Sequence, residues 1–389
     1  MNTAILLLFL YGLVLADPQA IFLNQYNADM AASNVAVEAG GMLYLASNDD
    51  VASLKMITIT NGGSSLTLNQ LLNQNGLKLA SNQLTIKSTI PSASSATLSG
   101  FLYATTAAQA NDNTFSVTVV NGGQQLNRAG GQTTTVILNV EFKQNFPPFD
   151  APKRTTYVTG INQFGSTSLN FHHGLPAADY QTLKSNQFFE NPQYFDNDGG
   201  QEKILFKSVE PMQVNLPYWY ITADGPYSMT LDGTYRNVIH NTTSVNTTGV
   251  FVLTDVWLPH YVNFVTDPTR KGNTFTLVTT ELKREAQVVF TNDESAFPAT
   301  YAPGNNLIHA FIGSNFKSER LVVNGTDIYP GTMYLQYYVW TGYLLPTTTV
   351  PTTVRTSSRP ITSTTVATST KSCNKLKVFL SLLVLVCVI

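Results

Sequence analysis

The chain has 389 residues, 22 of them Lys or Arg and 24 Asp or Glu, for a formal net charge of −2. A charged share of 12% leaves no basic footprint for a nucleic-acid partner. There are two cysteines, Cys373 and Cys387, both near the C-terminus, which excludes a disulfide scaffold, a Cys-ligated zinc site and a cysteine nucleophile upstream.

Residues 1–16 carry the apolar run Ala4 to Ala16, and Val14-Leu15-Ala16 offers a small-residue cleavage site. This pattern predicts a secretory signal peptide and a mature chain starting at Asp17. A secreted region as long as 17–345 can bury its own core without disulfides.

Residues 17–146 read as an N-terminal β-sandwich domain. The β-branched and aromatic runs at 43–46, 54–60, 84–87, 98–104, 115–120 and 135–142 predict strands, several alternating apolar with Thr or Ser. Asn61-Gly62-Gly63 and Asn121-Gly122-Gly123 each follow such a run, and Asn-Gly favours tight hairpins. The likeness of the two also suggests an internal repeat. Residues 69–75, rich in Asn and Gln, read as a loop or a short helix.

Three prolines in 147–152 stop strand pairing and stiffen the chain, so 147–153 reads as a linker, with a long loop inside one sandwich as the alternative. Residues 154–345 form the second β-sandwich region, with strands predicted at 203–207, 249–254, 274–279, 286–291 and 333–340. No segment shows a sustained apolar stripe at helical spacing, so little helix is expected. The fold class is all-β, with two sandwich or jelly-roll domains.

Residues 346–377 are dominated by Thr, Ser and Pro, which cannot bury a core, and read as a disordered, O-glycosylated stalk. The closing run at 378–389 is short for a membrane helix of roughly 20 residues. Small residues, a polar spacer and a terminal apolar tail match a GPI attachment signal, with Ala367 and Ser372 as attachment candidates. A short transmembrane helix is the alternative. Asn241, Asn246 and Asn324 each begin an Asn-x-Thr acceptor for N-glycosylation.

Little in the chain points to chemistry. His172 and His173 are adjacent, and adjacent strand residues face opposite ways, which argues against a shared metal. Asp196-Asn197-Asp198-Gly199-Gly200 has the oxygen density of a Ca²⁺ loop but lacks the later Glu, so it reads as a solvated turn, as does Asn48-Asp49-Asp50. There is no nucleophile elbow and no phosphate loop. No cofactor, metal or catalytic residue is expected. A carboxylate pair for glycoside hydrolysis need not be close in sequence, so spacing does not speak to it. The aromatic clusters 217–220 and 334–340 read mainly as core, with sugar or protein binding as the alternative.

The layout as a whole resembles the nematode CUB-like surface and secreted proteins: a signal peptide, a β-rich ectodomain with Asn-Gly turns, a closing strand at 334–338, a Thr/Pro stalk and a GPI-like tail. The resemblance implies CUB-like jelly-roll domains and a role in innate defence at epithelial surfaces. Ordinary CUB domains carry cysteines that this ectodomain lacks. The expected function is therefore non-catalytic binding or adhesion by a GPI-anchored glycoprotein, with an extracellular glycan or protein as ligand and the membrane reached through the lipid. A carbohydrate-active surface hydrolase and a mucin-like coat protein are the alternatives.

Overall fold

In Ile57-Thr58-Ile59-Thr60 both isoleucines are buried and both threonines are not, the two-residue period of a half-buried strand. Repeated along the chain, this pattern builds a molecule made of sheets. The computed structural model describes residues 17–92, 94, 97–141, 154–177, 186–197 and 200–236, and beyond them 240–242, 246–254, 260–264, 273–282, 286–291, 296–301, 310–314, 320–323 and 331–340. The segments read from sequence as signal peptide (1–16), linker (147–153), stalk (346–377) and tail (378–389), with Ala367, Ser372 and Asn324, all lie outside these residues.

The first sandwich comprises β1 (Gln19–Phe22), β2 (Ser33–Ala36), β3 (Met42–Ala46), β4 (Ile57–Asn61), β5 (Ser64–Thr67), β6 (Leu77–Lys78), β7 (Gln83–Ser88) and β8 (Phe101–Ala104). They form two four-stranded sheets, β1-β8-β3-β6 and β2-β7-β4-β5. Leu43, Leu45, Ile57, Ile59, Leu84, Ile86 and Leu102 from the two sheets share one core. The hairpin expected after Ile57 to Thr60 is present. Asn61 pairs with Ser64 across Gly62 and Gly63, whose φ values of +58° and +84° need glycine.

Two short helices pack into this core. The strand expected over 54–60 begins only at Ile57, because Asp50 caps a helix, α1 (Val51–Lys55), by accepting from Ser53 N at 2.8 Å. Within the Asn/Gln-rich segment lies α2 (Leu68–Leu72), opened by a reciprocal capping box between Thr67 and Gln70.

The central region has α3 (Ala107–Asn111) and the strands β9 (Phe115–Val120), β10 (Gly123–Arg128), β11 (Thr133–Asn139), β12 (Thr156–Gln163), β13 (Leu169–His173), β14 (Gln187–Asn191), β15 (Gln193–Asn197), β16 (Gly200–Ile204), β17 (Ser208–Val209), β18 (Met212–Val214), β19 (Tyr218–Ala223) and β20 (Tyr227–Asp232). The sheets β14-β13-β19-β11-β9 and β10-β20-β12-β18 enclose a core around Ile137, Phe171, Trp219 and Met229. Strands from both sides of 147–153 share these sheets: β11 pairs with β19, and β10 with β20, whose other neighbour is β12.

The second Asn-Gly-Gly is not a hairpin. β9 pairs in parallel with β11, whereas β10 pairs antiparallel with β20 in the other sheet. The turn at 121–123 is thus a corner between two sheets, so the two triplets do not mark the same structural unit.

Beyond residue 240 follow β21 (His240–Thr242), β22 (Thr247–Thr254), β23 (His260–Phe264), β24 (Asn273–Leu282), β25 (Ala286–Thr291), β26 (Ala296–Tyr301), β27 (Ala310–Ser314), β28 (Arg320–Val323) and β29 (Gly331–Trp340). They form the five-stranded sheets β17-β22-β29-β24-β27 and β21-β23-β28-β25-β26. Gly249 of β22 is fixed by close approach, since a Cβ there would lie 2.2 Å from the Tyr337 hydroxyl oxygen.

Some strands are buried on both faces. In β8, Leu102 and Ala104 join the first core, while Phe101 and Tyr103 face the opposite way. In β11, Ile137 points into the central core and Val136 and Leu138 away from it. Phe101, Tyr103, Val136, Leu138 and Tyr220 meet in a third cluster, so the inner sheets of the two sandwiches are stacked on each other.

Candidate functional site

A cleft of about 520 Å³ opens where the chain passes between the first and central sandwiches. Phe22 ends β1, Asp49 and Asp50 precede α1, Ser99 and Gly100 precede β8, Glu141 follows β11 and Arg154 precedes β12. In a chain with so few charges, four charged side chains gather here.

The charged groups are held by the fold. Asp49 Oδ1 accepts from Ser99 N at 2.8 Å and from Ser99 Oγ at 2.9 Å, and its Oδ2 accepts from Gly100 N at 2.8 Å and Ser47 Oγ at 2.7 Å. Four donors on one carboxylate clamp the loop before β8. An isolated bridge sets Glu141 beside Arg154, and Arg154 Nη2 lies 3.4 Å from Glu141 Oε2. The guanidinium donates to the Ser99 carbonyl and lies over the rings of Phe22 and Phe101, at 5.7 and 6.0 Å from their centroids. Burial lowers the Arg154 pKa, and Glu141 and Asp49 push it back up.

Asn48-Asp49-Asp50, read from sequence as a solvated turn, is therefore corrected. Asn48 and Asp50 are exposed, but Asp49 anchors a loop about 50 residues away and Asp50 caps α1. The signal for the cap was an Asp in N-cap position, but the five-residue helix it opens is too short to show a helical period. The alliance of Asp49, Glu141 and Arg154 had no local signal, because the three lie far apart in sequence.

His172 and His173 are packed against aromatic rings of the core. His172 stacks on Tyr220 with centroids 4.6 Å apart, and His173 stacks on Tyr334 at 4.8 Å, on opposite faces of β13. His172 Nε2 lies 2.9 Å from Thr222 Oγ1. Burial lowers the His172 pKa to about 4; a hydrogen bond to Asn186 opposes the shift and His173 adds to it. Both aromatic clusters are core, with Trp219, Tyr220, Tyr334, Tyr337 and Tyr338 almost wholly buried. Asp196 and Asn197 end β15, and 198–199 lie outside the described residues. Among the described residues no group of acidic, His or Cys side chains is placed to hold a metal, and no helix is long and apolar enough to cross a membrane. Of the glycosylation acceptors, Asn241 lies in β21, and Asn246 is exposed just before β22 with φ +60°.

The sheets and the cleft define an all-β, multi-sandwich protein with a polar recess between its first two sandwiches. The chain belongs to the transmembrane glycoprotein family, whose family model matches residues 38–387. No curated protein matches it. Among solved structures, it is similar to the CUB1-EGF-CUB2 domains of rat MASP-1, at 7% identity over 57% of this chain and 99% of that one, with a TM-score of 0.17. It is also similar to a chain from a study of the triple jelly roll fold and turret assembly in an archaeal virus, at 10% identity over 83% and 88% of the two chains, TM-score 0.15. A chain of Sulfolobus Turreted Icosahedral Virus is 9% identical over 84% and 91%, also with a TM-score of 0.15.

Proposed function

We propose that this family member is displayed on a cell surface and binds an extracellular glycan or protein without catalysis. Family membership supports the surface glycoprotein, and the state of the cleft supports binding. Asp49, Asp50 and Glu141 line an aromatic-edged recess, as a glycoside hydrolase would require, but they do not have the freedom that acid–base work needs. Asp49 holds four donors, Asp50 caps a helix and Glu141 faces Arg154. A rigid recess of fixed charges and ring edges suits recognition better than proton transfer. The defensive role implied by the CUB-like layout belongs to this reading, as does glycosylation at Asn241, Asn246 and Asn324.

The tether is read as a lipid attached at Ala367 or Ser372, while the family's description speaks for a protein span instead. Treating intact expressing cells with a phosphatidylinositol-specific phospholipase separates the two. Release into the medium is expected; retention overturns the lipid anchor. The released protein is then screened against glycans and microbial surfaces beside Arg154→Ala. Binding by the parent and its loss in the variant is the expected result. Binding that the variant keeps in full removes the cleft from the reading.

A further inference from the structure

We propose that Asn121 is a site of spontaneous deamidation, and that the fold protects Asn61 in an identical Asn-Gly-Gly sequence. In this reaction the amide nitrogen of the following residue attacks the Asn side-chain carbon Cγ. The new N–Cγ bond forms as the Cγ–Nδ2 bond breaks, and ammonia leaves. Water then opens the cyclic imide at either carbonyl, giving aspartate or isoaspartate. The sum is amide plus water to acid plus ammonia, with no oxidant or enzyme. A following glycine is the most permissive neighbour, since no side chain blocks the approach and its backbone moves freely.

Around Asn61 both partners in the reaction are engaged. Its Nδ2 donates to Ser81 O at 3.0 Å, to Ser81 Oγ at 3.0 Å and to Gln83 O at 2.8 Å. Its Oδ1 accepts from Ala80 N at 2.6 Å and Ser81 N at 3.1 Å. The nucleophile is engaged too, since Gly62 N donates to Ser81 Oγ at 3.2 Å. Ring closure has to break this network, and Asn61 is only 6% exposed.

Asn121 has none of this. It sits exposed at the corner where the chain leaves β9 for β10. Among the described residues nothing hydrogen-bonds its side chain. The Gly122 carbonyl accepts from Gly233 N at 3.4 Å, but no described residue accepts from the Gly122 N–H. Asn75-Gly76 falls between the two. Asn75 is exposed, but Gly76 is pressed so close to Tyr44 that a Cβ there would lie 2.9 Å from the ring, which restricts the backbone shift. Conversion at Asn121 adds a negative charge, and in the isoaspartate form an extra backbone carbon, at the turn that links the two central sheets.

The test is to hold the folded glycoprotein in warm, mildly alkaline buffer and follow each site by peptide mass and isoaspartyl methyltransferase labelling. Label should accumulate first at Asn121, then at Asn75. Losing even two of these hydrogen bonds, at ordinary strength, should slow Asn61 relative to Asn121 by a factor on the order of 30. In urea the three rates should converge, and Ser81→Ala should speed Asn61 alone in the folded protein. Equal rates at Asn61 and Asn121 in the folded state would overturn the proposal. So would an Asn121 that stays intact when folded while the unfolded chain reacts.

Discussion

The central sandwich meets its two neighbours through contacts of opposite kinds. Towards the first sandwich the body of the junction is apolar, with Phe101, Tyr103, Val136, Leu138 and Tyr220 meeting face to face, and the charged recess around Arg154 lies beside it. Towards β29 it combines rings with directed hydrogen bonds. Gln336 Oε1 accepts from Glu190 N at 2.9 Å, and its Nε2 donates to Glu190 O at 2.9 Å. Tyr337 donates to Glu210 Oε2 at 2.8 Å, and Phe206 stacks on Tyr338. The apolar junction gains from area and tolerates small shifts. The polar one fixes a register, because each buried group has to find its own partner.

The largest effect should come from the apolar junction. Phe101→Ala removes a fully buried ring that also touches Phe22, Tyr218 and the Arg154 guanidinium. A loss of about 3–5 kcal/mol is expected in denaturant unfolding. A loss near that of an exposed residue would mean that the two sandwiches do not depend on this contact.

Acidification probes the same junction through His172, which is buried against Tyr220. Burial lowers its folded-state pKa to about 4, below the unfolded value of 6.5, so the unfolded chain binds the extra proton first. Its contribution is complete above pH 6.5 and is lost as pH falls towards 4, by at most about 3 kcal/mol. Thermal melts across this window should show the decline, and His172→Gln should flatten it. An unchanged acid limb in the variant would assign the effect to other groups.

The polar junction should give the smallest of the three. Gln336→Ala leaves the N–H and C=O of Glu190 without that partner inside the protein, for a loss of about 2 kcal/mol. If Gln336→Ala proves costlier than Phe101→Ala, the ranking of the two junctions is reversed.

Much of the architecture was legible in the sequence because strand alternation is a local signal. The runs at 115–120, 249–254 and 286–291 fall within observed strands, and the glycine pair after Asn61 makes its hairpin. Local signals fail where the determinant is distant. Asn121-Gly122-Gly123 reads like Asn61-Gly62-Gly63, but β9 is claimed by β11 and β10 by β20, so the same triplet becomes a corner. The uninterrupted burial of Phe101 to Ala104 reflects sheets stacked on both faces. The helices α2 and α3 were announced by Thr67-x-x-Gln70 and Thr106-x-x-Gln109, a signature that periodicity does not detect. The cleft was not legible, because its salt bridge and clamp join residues that only tertiary structure brings together.

Among the described residues β29 is the last strand in sequence and the middle strand of its sheet, hydrogen-bonded to β22 on one side and β24 on the other. During synthesis, β22 and β24 therefore emerge well before the strand that joins them, each with an open edge. This sheet cannot close until residue 340 is made, so it matures after its other four strands have all been synthesised. That delay makes protection of the two open edges, until β29 arrives to fill the gap, part of how this sheet is built.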